Sequence, residues 1–384
     1  MFARGDGAAQ TSDRAWLQAM LDFESALARA CASVGLLPSA AAEAIAAACD
    51  ASLYDLGDIG RESAASGTPV MPMLERLRNR VGGEFAQHVH FGATSQDVID
   101  TAAILVATRT LPAIQADSLA AADLCAGLAE RHRDTPMIGR TLLQQALPTT
   151  FGLKAAGWLA DLDLARLRLA EVAIDLSDVQ LGGAVGNLSA FGDKGLAVAR
   201  AVADTLGFEP PLAPWHTQRA RIVVLGDMLA LLVGVLGKVG RDVTLLAQDE
   251  VGEVRESGEG RGGSSAMPHK QNPVSAVVLV ACAQRAPGLA ATIHSAMLQE
   301  NERGAGGWHA EWETLTLLLR LCGSAAAWGR DVFERLEVDA GRMQANLAAA
   351  ADAGIEEAAN PEAHLGSAGE LVDAVLAAHR GEGG

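Results

Sequence analysis

Five stretches of helix-forming sequence, each about 28–37 residues long, constrain the fold of this chain more than any other feature. They cover residues 95–131, 148–178, 218–251, 272–300 and 309–336. At a rise of 1.5 Å per residue, each would form a helix roughly 40–55 Å long. Val223–Leu246, for example, is apolar on more than one face, so one small domain cannot cover it. The pattern predicts a bundle of long helices that is buried partly against other subunits.

Shorter helices are predicted before this bundle, and strand signals are minimal. A first helix begins at the Ser12–Asp13 cap, a second runs from Pro38 to about Cys49, and a third covers Val70–Val81. The first helix carries one apolar stripe, formed by Leu17, Met20, Leu21 and Leu27. Residues 180–191 contain three glycines and are predicted to be the main irregular insertion.

The composition indicates a water-soluble helical protein that acts on neither nucleic acid nor membrane. Apolar residues make up 49% of the chain and aromatic residues only 4%, which favours an aliphatic core of closely packed helices. The net charge of −17 argues against nucleic acid or an anionic membrane as partner, although a local cluster of cations can still bind an anionic substrate. No uninterrupted apolar run reaches about 18 residues, and residues 1–12 lack the apolar core of a signal peptide.

The five cysteines are scattered and form no C-x-x-C pair. They are Cys31, Cys49, Cys125, Cys282 and Cys322. This spacing predicts buried, reduced thiols rather than a disulfide framework or a zinc site, and we expect a cytoplasmic protein.

A glycine-rich segment followed by polar residues is the strongest candidate for chemistry. Four glycines fall within residues 258–263, directly before Ser264 and Ser265, and Lys270 and Asn272 follow within nine residues. Glycine backbones are pliable, so a hydroxyl-bearing lid that closes over an anion beside a cation is one interpretation. A surface loop followed by a helix start near Asn272 is the other, and the residues alone favour neither.

The same segment resembles the G-S-x-x-M-x-x-K-x-N signature of the fumarase/aspartase superfamily. The matching positions are Gly263, Ser264, Met267, Lys270 and Asn272. Residues 92–97 (Gly-Ala-Thr-Ser-Gln-Asp) and 139–150 are similar to the two other conserved regions of that superfamily, in the same order. The resemblance extends from about Asp13 to Leu347, which is nearly the whole chain.

This resemblance implies an all-α fold with a long central helical bundle that assembles into a homotetramer, with each active site shared between three subunits. We expect an N-terminal helical domain at 1–93, the central bundle at 94–340 and a C-terminal helical segment at 341–384. Members of the superfamily usually carry a longer C-terminal domain. Residues 361–366 resemble its far end, so the middle of that domain is expected to be absent.

The resemblance also implies the catalytic residues. Superfamily enzymes add or remove a proton on the carbon next to a carboxylate, and the intermediate holds two negative charges on that carboxyl group. By this likeness Ser264 transfers the proton, while Lys270 and Asn272 hold the dianion. Neither a metal nor an organic cofactor is implied.

Further residues are expected to bind the substrate. Thr94, Ser95 and Gln96 stand where a long helix begins, which suits a carboxylate; the other interpretation is ordinary helix capping, and both can hold together. The remaining candidates are His90, Thr141, Gln144, Arg219, Ser265, Met267 and Arg303.

Three of these assignments, and one pair of aromatic residues, have competing explanations. The alternative for Arg219 and Arg303 is helix-end ion pairing with the many acidic residues. His88 and His90 form an H-x-H pair, but no acidic or cysteine cluster accompanies them, so a metal site is disfavoured and His90 is expected to line the site. Trp308 and Trp312 lie four residues apart on one helical face and are expected to pack in the core.

Three departures from the superfamily pattern select one branch. Leu142, Val277 and Asn301 stand where lyases that release amines often carry histidine, glutamate and histidine. A carboxylate is already ionised near pH 7 and needs none of these groups, which favours lactonisation. Residues 214–219 and 299–312 resemble the bacterial 3-carboxy-cis,cis-muconate cycloisomerase family, whose small-molecule substrate is a tricarboxylate. The alternatives are a lyase that cleaves adenylosuccinate or argininosuccinate, and a non-catalytic helical assembly protein.

Overall fold

The structure, a computed structural model, describes residues 3–258, 260–267 and 270–381. Its helices, numbered α1–α13 in chain order, are Gly5–Ala9, Asp13–Ser33, Ser39–Ala48, Leu56–Ser66, Val70–Val81, Ser95–Arg131, Phe151–Asp175, Gly195–Leu206, Ala220–Leu246, Val274–Ser295, Gly307–Arg335, Ala340–Asp352 and Ala368–Arg380. Its strands, β1–β4, are Pro136–Thr141, Gln144–Thr150, Val254–Glu256 and Leu336–Val338. The fold is all-α in character, as predicted.

Five long helices form the centre of the molecule, where the sequence predicted them. Helix α9 packs along α10, and α6 packs against both α7 and α11. Helix α11 also contacts α9 and α10. One continuous aliphatic core runs through these helices and reaches α2, α8 and α13. The predicted bundle is confirmed, and α6 begins and ends at the predicted residues, Ser95 and Arg131.

Local capping explains why several predicted helix starts were accurate. The Ser12 hydroxyl accepts a hydrogen bond from the N–H of Ala15 at the start of α2, and the four residues of the predicted apolar stripe are buried. Thr94 and Asp97 form a reciprocal capping box at the start of α6, with the N–H of Thr94 3.0 Å from Asp97 Oδ2. Helix α5 covers Val70–Val81, as predicted.

A β-hairpin replaces part of a predicted helix. Strands β1 and β2 pair antiparallel across a two-residue turn, and α7 begins only at Phe151, where the Thr150 hydroxyl accepts from the N–H of Leu153. The predicted start at residue 148 is therefore wrong. The turn residues Leu142 (φ 52°) and Leu143 (φ 66°) are both left-handed, a conformation that hairpin turns normally give to Asn or Gly. The sequence thus lacked the usual hairpin signal.

Helices α9 and α10 are long and apolar enough, by length and composition, to cross a membrane. Neither helix is an uninterrupted apolar run, because Asp227 and Lys238 lie within α9 and Arg285 lies within α10. A core helix of a water-soluble protein has the same composition, and 56% of the apolar stretch of α9 is buried. In α10, only 33% of the apolar stretch is buried within the chain. Apolar residues such as Val277 therefore remain half exposed.

All five cysteines are buried and none forms a disulfide, as predicted. Burial raises the pKa of the Cys31 thiol to about 12. It also raises the pKa values of Cys49, Cys125, Cys282 and Cys322 above their ordinary value.

Candidate active site

The described part of the signature segment, residues 262–267 and 270–272, is closed at its base. Both the backbone N–H and the side-chain amide of Asn272 donate to the carbonyl of Gly262, at 2.8 and 2.7 Å. Gly262 has φ +67°, and a Cβ there would lie 2.4 Å from the Asn272 carbonyl oxygen. Glycine is required at this position, because any side chain would strain the backbone and prevent closure. In this state the amide of Asn272 holds the loop together.

A buried carboxylate anchors both ends of this loop. Asp331 on α11 accepts hydrogen bonds from the Arg261 guanidinium (2.9 and 2.5 Å) and the Ser275 hydroxyl (2.6 Å), which flank the signature segment. Arg4 and Arg335 donate to the same carboxylate. Burial alone would raise the pKa of Asp331, but these hydrogen bonds outweigh it and hold the pKa well below its usual range. The loop base is therefore fixed on the bundle.

The outer part of the signature segment is open to solvent. Ser264 Oγ accepts from the N–H groups of Ala266 (3.3 Å) and Met267 (3.2 Å), which is a local turn contact. Ser265 and Lys270 are exposed, and Met267 is 41% exposed. The catalytic roles of Ser264, Lys270 and Asn272 stay predictions at this point.

The first conserved region forms a buried polar cluster at the start of α6. Asp97 is fully buried, and its carboxylate accepts from the N–H groups of Gly182 and Gly183 (2.9 and 3.0 Å). His216 Nε2 lies 2.7 Å from Asp97 Oδ1. Thr94 and Ser95 are half-buried at the rim of this cluster, where the helix presents its free N–H groups.

Arg303 contacts this cluster. Its guanidinium donates to Gln96 Oε1 at 2.9 Å and to the carbonyls of Gly183 and Ala184. The side-chain amide of Gln96 in turn donates to the carbonyl of His216 at 2.7 Å. The structure therefore brings together three predicted residues, Thr94, Gln96 and Arg303, around a buried carboxylate.

His216 was not among the predicted site residues, although it lies within residues 214–219, which carry part of the family resemblance. Its side chain is 4% exposed, and its partner Asp97 lies 119 positions away in sequence. A single buried histidine gives no periodic or spacing signal, so only the fold reveals the pair.

Arg219 occupies a different position from the one expected of a substrate ligand. It is buried and forms ion pairs with Asp100 (2.8 Å) and Glu311 (2.6 Å), and all three of its nitrogens donate. Trp308 Nε1 donates to the same Asp100 at 3.0 Å, so this tryptophan packs in the core as expected. Burial by itself would lower the pKa of Arg219, but the two carboxylates more than offset it and raise the pKa. The observed role is the alternative considered for it, an internal ion pair.

His90 lies beside the same helix start in a constrained conformation. Its φ is 64°, and its Nδ1 is 2.6 Å from Oε1 of the buried Glu24. Burial would lower the pKa of His90, but Glu24 outweighs this and raises it, which favours the imidazolium form. Among the described residues no group of three or more His, Cys, Asp or Glu side chains is arranged to hold a metal ion.

Thr141 and Gln144 face each other across the tip of the β1–β2 hairpin. Both are exposed, and the turn between them presents Leu142 (97% exposed) and Leu143 (76% exposed) to solvent. The hairpin is tied to the body of the protein by Arg140, which makes two hydrogen bonds of 2.9 and 2.8 Å to the buried Glu253.

The three conserved regions are thus anchored on three different buried carboxylates. Asp97 holds the first region, Glu253 the hairpin and Asp331 the signature segment. Within the described part of the chain, no hydrogen bond or ion pair links Ser264 or Asn272 to the other two regions. The three conserved regions are therefore held by three separate anchors within the described part of the chain.

Comparison with known proteins gives the same assignment across most of the chain. Residues 6–288 match the family described as Lyase. The protein named 3-carboxy-cis,cis-muconate cycloisomerase from Bradyrhizobium diazoefficiens is 49% identical over 343 residues, which cover 88% of this chain and 76% of that relative. A nitrosuccinate lyase from Streptomyces davaonensis is 45% identical over 351 residues, covering 88% of this chain and 74% of the relative.

The fold agrees with a solved structure over its full length. The crystal structure of 3-carboxy-cis,cis-muconate lactonizing enzyme from Pseudomonas putida superposes with a TM-score of 0.91 at 39% identity, covering 100% of this chain and 98% of that one. The family match, the level of identity and the shared fold agree with one another. The chain belongs to the Lyase family, the fumarase/aspartase superfamily that its three conserved regions resemble.

Proposed function

We propose that this protein is a cycloisomerase that converts 3-carboxy-cis,cis-muconate to 4-carboxymuconolactone, a step in aromatic-acid catabolism. The observation that carries the proposal is the identity of 49% to a relative of that name, together with the matching solved fold. The residues support it, because the Ser264, Lys270 and Asn272 set is complete and Leu142 supplies no acid for an amine leaving group.

The reaction needs one new C–O bond and one proton on carbon. A substrate carboxylate adds to the diene, and the electrons move onto the carboxyl group at the far end of the conjugated system. Lys270 and Asn272 hold this dianion, for which one well-placed donor contributes roughly 3–4 kcal/mol. Ser264 then delivers the proton to carbon. One N–H of the Asn272 amide donates to the Gly262 carbonyl, and the second N–H of the same group is the one offered to the dianion.

Several groups hold the substrate carboxylates in this proposal. His90 and Arg303 supply positive charge next to the free N–H groups at the start of α6. Hydrogen bonds come from Thr94, Ser95, Gln96, Thr141, Gln144 and Ser265, and Met267 covers the apolar diene. Arg219 acts as a positioning residue, since it fixes α6 to α11 through Asp100 and Glu311.

The proposal includes a homotetramer in which each site takes its three conserved regions from three subunits. Two features support this assembly. The three regions bond to three different carboxylates within one chain, and only 33% of the apolar stretch of α10 is buried. We further propose a cytoplasmic enzyme without metal or cofactor, divided at about residues 93 and 340.

Nitrosuccinate elimination is a second candidate, favoured by the relative that is 45% identical. Nitrite would leave as an anion and needs no proton donor, so Leu142 is compatible with this reaction as well. Nitrosuccinate carries two carboxylates rather than three, which makes fewer demands on the cations of the site.

A side-by-side assay decides between these reactions. We expect the purified protein to consume 3-carboxymuconate, followed by loss of diene absorbance. We expect little or no cleavage of adenylosuccinate or argininosuccinate, whose nitrogen leaving groups depart better when protonated. A higher rate with nitrosuccinate or either succinyl-amine would overturn the cycloisomerase proposal. Inactivity of a folded protein with every substrate would favour a non-catalytic assembly role.

Lys270→Met tests the dianion-holding role, because it keeps the side-chain length and removes the charge. We expect a loss of about 3 kcal/mol or more in transition-state stabilisation, measured as a fall in kcat/KM.

Activity of the unmodified protein should be the same with and without EDTA. Loss of activity on chelation that a divalent ion restores would contradict the metal-free proposal.

A further inference from the structure

A cavity under the β1–β2 hairpin is lined by a lysine, Lys154, for which the described residues supply no partner. The cavity has a volume of about 460 Å³ and lies between the hairpin, α7 and the C-terminal end of α9. Its polar lining includes Arg140, Lys154 and Asp242, and its apolar walls are Leu142, Leu143, Leu245, Leu246 and Val251. In the described part of the chain the half-buried ammonium of Lys154 makes neither a hydrogen bond nor an ion pair.

The carboxylates around this lysine are already neutralised by other groups. Asp242 accepts from Trp158 Nε1 at 2.7 Å and forms an ion pair with Lys238. Glu253 receives two hydrogen bonds from Arg140 and one from the Asn346 side chain at 2.8 Å. Among the described residues, three cations (Arg140, Lys154 and Lys238) therefore surround two carboxylates (Asp242 and Glu253) that already have partners. One positive charge is left over, and it is the charge of Lys154.

An uncompensated cation in a half-buried position is unfavourable until an anion joins it. Burial lowers the pKa of Lys154, and the neighbouring Lys238 and Arg140 add to this effect. Asp242 and Glu253 offset it only in part. Free space beside the ammonium means that a ligand can supply the missing charge, while the leucine walls can cover an apolar body.

We propose that this cavity is a binding site for a small carboxylate with an apolar body, held by an ion pair to Lys154. The site lies directly under the turn that separates Thr141 from Gln144. A ligand there would contact Leu142 and Leu143, and so bears on the position of the hairpin. The inference concerns binding alone and does not depend on the proposed reaction.

The chain has only four lysines, which makes a direct test possible: Lys154, Lys194, Lys238 and Lys270. Reductive methylation with 13C labels gives one dimethyl-lysine NMR signal for each, and Lys154→Arg identifies the signal of Lys154. Without ligand we expect that signal to titrate at the lowest pH of the four. Benzoate should shift it and raise its pKa, whereas benzamide, which has the same shape without the charge, should not.

Calorimetry on the unlabelled protein supplies the second readout. Lys154→Met should weaken benzoate binding at least tenfold, Lys154→Arg should keep most of it, and Lys194→Met is the control for an equal loss of net charge. Lys194 donates to the carbonyl of Val34, in the N-terminal helices. A second titration with cis-aconitate identifies the class of natural ligand. If this tricarboxylate binds more tightly than benzoate, the ligand is a polyanion such as a substrate. If benzoate binds more tightly, the ligand is a monoanion. Equal benzoate affinity in Lys154→Met and the unmodified protein would overturn the proposal.

Discussion

Ser264→Ala is expected to reduce kcat by about 10²-fold or more, because a positioned proton-transfer group contributes roughly 10²–10⁴-fold. The fold should survive the change. Ser264 Oγ contacts only the N–H groups of Ala266 and Met267 in the described structure, and the loop base is held by Asn272 and Asp331 instead. Steady-state kinetics with 3-carboxymuconate, together with circular dichroism and the thermal midpoint, separates loss of chemistry from loss of structure.

Ser66→Ala is the matched control for this experiment. Ser66 is an exposed serine at the end of α4, and its hydroxyl donates to nearby carbonyls. We expect its kcat to equal that of the unmodified protein. If Ser264→Ala keeps more than about a tenth of the original rate, Ser264 is not the proton-transfer residue.

Arg219→Met should have the largest effect on stability, about 3–5 kcal/mol in the free energy of unfolding. The change keeps an apolar stem but leaves Asp100 and Glu311 buried without their common cation. An uncompensated buried charge is far more costly than the net contribution of an intact pair. Denaturant unfolding at a fixed protein concentration measures the difference, because the proposed assembly would make stability depend on concentration.

Arg29→Met provides the comparison, since Arg29 and Glu43 form an exposed ion pair at 3.4 Å. Such a pair contributes about 0–1 kcal/mol, so its loss should barely move the unfolding midpoint. Should Arg219→Met yield no folded protein, Arg219→Lys keeps the charge and is expected to be destabilised less. Equal midpoints for Arg219→Met and Arg29→Met would contradict a structural role for the buried network.

Local signals explain why most of the long helices were predictable from sequence. The Thr94 and Asp97 capping box and the Ser12 cap lie within a few residues of the helices they start, so the sequence predicts these boundaries directly. The hairpin was missed for the opposite reason. Its turn is Leu142–Leu143, and leucine is a residue typical of helices. Nothing in this pair of residues indicates the left-handed conformations that the turn adopts.

The candidate site was predictable in its motifs but not in its long-range partners. The signature segment and the start of α6 are recognisable as contiguous strings. The pairing of Asp97 with His216, and of Arg219 with Asp100 and Glu311, joins residues 92–119 positions apart. These contacts depend on how the helices pack, which neither spacing nor periodicity specifies. The role of Arg219 was therefore ambiguous until its neighbours were known.

The burial of all five thiols gives the protein an internal reporter of its own opening. A thiolate is the reactive form, and the raised pKa values together with burial should protect each cysteine while the fold is closed. Reaction with a thiol reagent must then follow local or global unfolding. Cys31 lies in α2 and Cys49 directly after α3, while the other three cysteines lie in α6, α10 and α11. The order in which they are modified would therefore show which layer of the molecule opens first.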